Sequence, residues 1–401
     1  MKILVLNCGS SSIKYKLLNM ADNSTIASGA MEKIGLKGSF LQHQNEGQDK
    51  IKLEGEVLDH QVGIDYIIGV MTDPKIGCIS SLDEIDAIGH RVVHGGEEFK
   101  GSVLIDDNVI AKMEECIDLA PLHNPPNLKG IHAVSTLMPD KPQVGVFDTA
   151  FHQTMPPSAY MYGIPKKLYD KYKVRRYGFH GTSHRYVSEH ACKFLGLDYK
   201  KTKVINCHLG NGSSICAIDG GKSVDTSMGF TPVEGLLMGT RAGDLDIGAV
   251  TYIMEKENVS PDAANTLFNK HSGLLGISGV SSDLRDIEEA GLEQGHEDAM
   301  LALSVFRARI KKYIGAYIAI MGGCDVLTFT GGIGENSIIE RKALCKDMEF
   351  LGIKLDEEKN NIRAVDRVIS ADDSRIKVCI IPTDEEFMIA EETLRLVNDK
   401  A

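Results

Sequence analysis

No stretch of the chain is long and apolar enough to span a bilayer, which takes about 20 residues, and the N-terminal run Ile3 to Leu6 is too short for a secretory signal. A cytoplasmic location is therefore expected, with no membrane partner. CxxC pairs are also absent, and the nine cysteines are an odd number, which fits reduced thiols rather than a disulfide framework. A net charge of −12 gives no basic surface for nucleic acid or anionic lipid, so an anionic substrate has to be held by locally placed Arg and Lys.

What is present is a pair of similar stretches. Lys203 to Asp219 reads as an apolar strand, the turn HLGNGSS and a second apolar strand. Gly210 and Gly212 let backbone N–H groups converge, and Asn211, Ser213 and Ser214 add donors with no carboxylate among them, which suits a phosphate. Asn-Gly is equally the strongest short hairpin signal, and most such hairpins bind nothing. The first residues repeat the pattern: a strand to Asn7, a Gly-Ser-Ser-Ser turn from Gly9 to Ser12, and a second run opened by Lys14. Neither stretch matches GxxxxGK[ST] or GxGxxG. Two such units about 200 residues apart suggest a duplicated fold, and 401 residues make two domains the default.

In chain order, Ile26 to Val57 extends the first sheet, and Asp59 to Met71 has helical apolar spacing. The strand Asp86 to Val93 carries Arg91, whose charge needs either a carboxylate or an anionic ligand in that apolar run. His90 and His94 lie on a strand-to-loop segment poorly suited to metal. Val109 to Leu119 reads as a helix, Pro121 to Pro126 as a rigid loop, and Asn127 as the cap of the next helix. The strand Gln143 to Phe147 ends at Asp148, placed either for a ligand or for a helix cap. A helix starting at Thr182 or Ser183 leaves His180 on a loop. Asp225 to Asp246, Gly-rich and weakly periodic, carries Arg241 and is too apolar for disorder. Asp283 starts another helix, and Cys324 to Asn336 takes a strand through Gly331-Gly332-Ile333-Gly334 directly into a helix. Thr383 and Glu386 have capping-box spacing.

Together LVLNCGSSSIK, HRVVHGG, PLHNPPN, FDTAFH, YGFHGTSHRY, HLGNGSS, GLLMGTRAGDLD, GVSSDLR, FTGGIGEN and TDEE resemble the acetate kinase family over essentially the whole chain. The resemblance implies an α/β fold of two ribonuclease-H-like domains, the duplicated actin-like ATPase fold, around a central nucleotide cleft. Residues 1–148, completed by the C-terminal helix 385–401, would form one domain. Residues 149–384 would form the other, with the nucleotide site and a homodimer interface. It implies reversible, Mg²⁺-dependent phosphoryl transfer between ATP and acetate giving acetyl phosphate and ADP, with Mn²⁺ able to substitute. Propionate is the nearest alternative acceptor, and a nucleotide-gated binding module of the same fold is a distant one.

Position by position, the resemblance assigns Arg91, His123, Asp148, His180 and Arg241 to catalysis, and Asn7 and Glu385 to magnesium. Ser10, Ser12, Lys14, His208, Leu209, Gly210, Asn211 and Gly212 match the phosphate loops. Asp283, Leu284, Arg285, Gly331, Gly332, Ile333, Gly334 and Asn336 match the nucleoside site. Val93, Leu122, Phe179 and Pro232 match a pocket for the acetate methyl. Asp384 departs from the family pattern, which more often has Asn there; the extra carboxylate either strengthens magnesium binding or is solvated.

Overall fold

The computed structural model describes residues 1–400 and divides into two compact units, Met1–Phe151 with the C-terminal segment from Asp384, and His152–Thr383.

The first unit is built on an eight-stranded sheet. Its strands are β1 (Lys2–Cys8), β2 (Ser12–Asn19), β3 (Ser24–Glu32), β4 (Phe40–Asn45), β5 (Ile51–Glu54), β6 (Ala87–Val92), β7 (Val103–Leu104) and β8 (Gln143–Phe147). The order is β5-β4-β3-β2-β1-β6-β8-β7. β1 to β5 form an antiparallel meander, whereas β1, β6 and β8 run parallel. Because side chains alternate along a strand, β1 feeds two cores. Leu4 and Leu6 pack with Ile64, Ile67 and Val134 from helices His60–Met71 and Asn124–Leu137. Ile3 and Val5 pack with Ile389 and Ala390 of helix Glu385–Lys400. That helix sits so close that a Cβ at Gly89 would lie 2.6 Å from Ile389 Cγ2. Glycine is what lets β6 pass beneath it.

The second unit repeats the scheme with β9 (Lys203–Leu209), β10 (Ser213–Asp219), β11 (Lys222–Thr226), β12 (Val326–Thr330), β13 (Arg367–Val368) and β14 (Lys377–Ile380) in the order β11-β10-β9-β12-β14-β13. β9 pairs antiparallel with β10 and parallel with β12, which pairs parallel with β14. This is the β2-β1-β6-β8 arrangement over again. One face is covered by the long helix Glu297–Met321, whose Phe306, Ile310 and Ile314 join Ile205, Cys207, Leu327 and Phe329 in the core. Helix Gly181–Leu195 packs against β9 and β12.

Four local readings are corrected. The predicted helix Val109 to Leu119 is Asp107–Glu115, capped by Asp106, followed by a separate 3-10 turn at Ile117–Leu119. The helix assigned a cap at Asn127 begins at Asn124, because prolines are tolerated in a first turn whose N–H groups lack helical partners. Helix Gly181–Leu195 begins one residue earlier than its threonine suggests, with His180 in the left-handed region at φ 57° immediately before it. The capping box Thr383/Glu386 does not form. Asp384 Oδ1 accepts from Phe387 N at 3.0 Å, so the shorter acidic side chain caps the helix.

Candidate active site

In the first unit the site forms at the C-terminal ends of β1, β6 and β8, where parallel strands leave backbone and side chains open to ligands. Gly9 N donates to Ser12 O at 2.8 Å to close the β1-β2 turn, and His60 Nε2 donates to Gly9 O at 2.6 Å. Lys14 stands opposite Asn7 in the hairpin register. Ser10 and Lys14 are exposed, and Ser12 is half-buried.

Arg91 is the centre of this half. Its Nη1 donates to Asn7 Oδ1 at 3.3 Å, its Nη2 to Asp148 Oδ2 at 2.5 Å, and its Nε lies 3.7 Å from Glu385 Oε2. The reading that this arginine pairs with a carboxylate is met by Asp148, and its side chain keeps 22% of its surface open. Burial works against its charge, but the carboxylates of Asp148 and Glu385 more than offset that and raise its pKa. Glu385 is pushed up to about 7, first by burial; Arg91 pulls it down, and Asp148 and Glu386 push it further up. Asp384 is not simply solvated: besides capping the helix it accepts from Lys16 Nζ at 2.9 Å.

Two asparagines that sequence reasoning treated as loop or cap residues hold this half together. Asn127 Nδ2 donates to Cys8 O at 2.8 Å and its Oδ1 accepts from Val93 N at 3.0 Å, tying the end of β1 to the end of β6. Asn124 does the same for the backbone of His94, accepting at 3.2 Å and donating at 2.9 Å. The signal was present in PLHNPPN as two buried amides on an otherwise apolar helical face. His123 is the residue before this helix. Val93 is buried, whereas Leu122 is 67% exposed.

In the second unit the β9-β10 turn is the floor. Gly210 N donates to Ser213 Oγ at 3.1 Å, and Ser213 Oγ donates back to Gly210 O at 2.8 Å. A Cβ built on Gly212 would lie 3.4 Å from Arg241 Nη1 and 3.7 Å from His180 Nε2. The predicted His180 and Arg241 thus converge over the predicted phosphate loop. His208 stacks on His180 with ring centroids 4.3 Å apart, and its Nδ1 meets Ser183 Oγ at 2.8 Å. Arg241 pairs with no carboxylate among the described residues; its one side-chain contact within hydrogen-bonding range is Met238 Sδ at 3.9 Å, and burial lowers its pKa. The loop carrying it is fixed from below by Arg176, which donates to the carbonyls of Thr226, Ser227 and Met228 and pairs with Glu234 at 2.5 Å. Phe179 is buried and Pro232 half-buried.

Beside the turn lies a cavity of about 730 Å³, within the range of small-molecule sites, lined by Gly210, Asn211, Asp283, Leu284, Arg285, Gly332, Ile333 and Asn336. Eight residues assigned to nucleotide thus share one wall. Glu288, Ser337, Ile339 and Arg363 also line it and were not anticipated. Asp283 caps its helix and forks onto Arg285 at 2.6 and 3.0 Å. Gly331 sits at φ +76°, and a Cβ there would come within 2.7 Å of Leu209 O, so the strand can turn into the helix only through glycine. Glu335, unremarked in the sequence, accepts from Gly331 N at 2.8 Å and Thr383 N at 3.1 Å.

The acetokinase family model matches residues 2–391. The chain belongs to that family. It is 61% identical over 398 residues to an acetate kinase of Azobacteroides pseudotrichonymphae, covering 99% of this chain and all of the relative. Among solved structures it is similar to Porphyromonas gingivalis acetate kinase, with a TM-score of 0.96 and 55% identity over 99% of each chain. It is also similar to a propionate kinase from Francisella tularensis, at 0.91 and 42% over 98% of this chain and 99% of that one.

Proposed function

We propose that this member of the acetokinase family transfers the γ-phosphoryl group of ATP to acetate, reversibly and by direct in-line displacement. The observation that carries the reading is Arg241: a partly buried guanidinium whose pKa burial lowers, with no carboxylate partner among the described residues, beside His180 over a donor-rich glycine turn. A buried charge of this kind is stable when an anion supplies what the protein does not.

The acceptor chemistry fits the residues. A carboxylic acid of ordinary pKa is already ionised at pH 7, so the nucleophile needs no general base. It has to approach another anion, and two unit charges ~4 Å apart repel by about 4 kcal/mol at an effective dielectric near 20. Arg91 orients the acetate carboxylate, with Asp148 holding the guanidinium. Arg241 and His180 face the transferring phosphoryl oxygens, and His123 supports the acceptor side. Val93, Leu122, Phe179 and Pro232 serve the methyl group, and the cavity beside Asn211 takes the nucleoside.

Asn7, Asp148 and Glu385 also suit a hard divalent cation such as Mg²⁺ or Mn²⁺. Glu385 is held up at about 7, first by burial, and a cation bound beside it would favour its ionised form. Among the described residues no group of three or more His, Cys, Asp or Glu is arranged to hold a metal ion. Water and phosphate oxygens would complete the coordination, as magnesium prefers. When bound, the cation offsets phosphate charge.

A homodimer through the second unit is consistent with helix Ile247–Lys256, which leaves Ile247 and Tyr252 exposed. Nine free thiols, seven of them buried, fit a reducing cytoplasm.

The test is acyl phosphate formation from ATP and acetate, propionate or butyrate, trapped with hydroxylamine. Acetate should have the highest kcat/KM. One methylene is worth only ~1–3 kcal/mol in a small apolar pocket, so propionate should be a slower substrate. Preference for propionate would make this a propionate kinase. ATP hydrolysis without acyl transfer would make it a nucleotide-gated binding module.

A further inference from the structure

Behind His180 runs a line of polar side chains that the phosphoryl-transfer chemistry does not itself require. Thr328 on β12 and Asn206 on β9 are register partners in parallel strands. Thr328 Oγ1 lies 2.7 Å from Asn206 Oδ1, Asn206 Nδ2 lies 2.9 Å from His184 Nδ1, His184 Nε2 lies 2.7 Å from Ser214 Oγ, and Ser214 Oγ lies 2.9 Å from His180 Nδ1. Thr328, Asn206, His184 and Ser214 are each 0% exposed. Water is thus excluded from these four groups, and the direction of each proton is fixed by its neighbour.

The direction can be followed from one end. O–H···O bonds favour about 2.7–2.8 Å and N–H···O bonds about 2.9–3.0 Å, so at 2.7 Å the Thr328 hydroxyl donates to the amide oxygen of Asn206. Reversing the amide would require a short N–H···O contact and leave the threonine proton only Ile205 O at 3.4 Å. With its oxygen so engaged, Asn206 donates through Nδ2, and His184 accepts at Nδ1. Burial pushes the His184 pKa well below its ordinary value, so the ring is neutral and carries its one proton on Nε2. That proton goes to Ser214 Oγ, whose own proton then points to His180 Nδ1.

We infer that Thr328, Asn206, His184 and Ser214 are positioning residues that set His180 as the neutral Nε2–H tautomer, so that the atom facing Gly212 beside Arg241 is a hydrogen-bond donor. The opposite tautomer would present a lone pair to an anionic phosphoryl oxygen. Thr328 would thus shape the chemistry from a strand position without touching substrate. The inference rests on the proposed role of His180 as a donor to the transferring phosphoryl group.

Nitrogen-15 spectra of the histidine-labelled wild-type protein, with His180 assigned by its loss in His180→Gln, report the tautomer without any turnover. An Nε2-protonated neutral His180 near pH 7 is expected; an Nδ1-protonated ring or an imidazolium overturns the inference even if the enzyme is fully active. Thr328→Val removes the first donor and frees the Asn206 amide to rotate. It should give a mixed His180 tautomer and a kcat lowered on the order of tenfold or more, because an imidazole held in the wrong tautomer works poorly. The KM for ATP should stay close to wild type, and Thr328→Ser should restore both signals. A Thr328→Val protein with unchanged tautomer and kcat also contradicts the inference. If that variant does not fold, the wild-type spectrum decides. Separately, near-normal turnover by His180→Ala, which has no side-chain donor, would remove the donor role while leaving the tautomer result intact.

Discussion

Arg91 and Asp148 sit at the ends of neighbouring parallel strands, and the 2.5 Å contact from Nη2 to Oδ2 joins an arginine side chain 22% open to a carboxylate only 1% open. Removing the arginine therefore has two separable effects. Arg91→Ala leaves a buried carboxylate without its cation, which typically costs about 3–5 kcal/mol of stability, and it removes the group proposed to orient acetate. Denaturant unfolding should show the first effect, and a rise in acetate KM with a fall in kcat the second. A variant of normal stability and normal acetate kinetics would remove Arg91 from the account.

Arg241 makes a contrasting prediction. It pairs with no carboxylate among the described residues, so Arg241→Ala strands no opposite charge and relieves an unfavourable burial. Turnover should fall by about 10²–10³, the scale of a lost charge-stabilising donor, while the unfolding midpoint holds or rises. A variant that loses stability but keeps kcat would show that the guanidinium is structural.

Gly212→Ala tests the convergence directly. The added methyl would sit 3.4 Å from Arg241 Nη1 and 3.7 Å from His180 Nε2, in ordinary contact and without steric clash. The fold should survive with wild-type stability, and phosphoryl transfer should be strongly reduced because the methyl occupies the place both donors face. Unimpaired kcat would mean that the phosphoryl group passes elsewhere.

The elements that repeat locally were legible in the sequence, and those that depend on distant partners were not. Both glycine- and serine-containing hairpins follow from apolar runs interrupted by Gly, Asn and Ser, and Arg91 is conspicuous as a charge inside an apolar strand. The pocket-lining residues at Gly332, Ile333 and Asn336 follow from a strand that runs through glycines into a helix. Asn127, by contrast, was read as a cap because two prolines precede it; its two backbone bonds to Cys8 and Val93 exist only once β1 and β6 are side by side. Asn206 and Thr328 are 122 positions apart and read as single polar residues in apolar strands until the register of β9 and β12 pairs them. Asp384 was misread because Thr383 and Glu386 have capping spacing by chance; the acidic residue between them is the better cap and has Lys16 as a partner.

Stability should depend on pH through buried histidines. Burial lowers His90 to about 4, His94 to about 3 and His152 to about 4, against about 6.5 in an unfolded chain. Between these values the unfolded chain binds protons that the fold does not, so each contribution is complete above pH ~6.5 and is lost as pH falls towards the folded value. Glu385, raised to about 7 by burial, works in the opposite sense over part of the same window. His90→Gln isolates one group: its unfolding free energy should fall less steeply than wild type between pH 6.5 and 4, by up to about 1.4 kcal/mol per pH unit. Parallel curves for the two proteins would contradict the assignment of a neutral, buried His90.

The most direct test is ATP formation from ADP and acetyl phosphate, followed by luciferase with wild type, Arg91→Ala and Arg241→Ala side by side. Rapid, divalent-cation-dependent ATP synthesis by wild type, reduced by orders of magnitude in both variants, is the predicted result. No ATP synthesis by the wild-type protein, or synthesis undiminished without either arginine, would contradict carboxyl phosphoryl transfer by charge stabilisation at these two guanidinium groups.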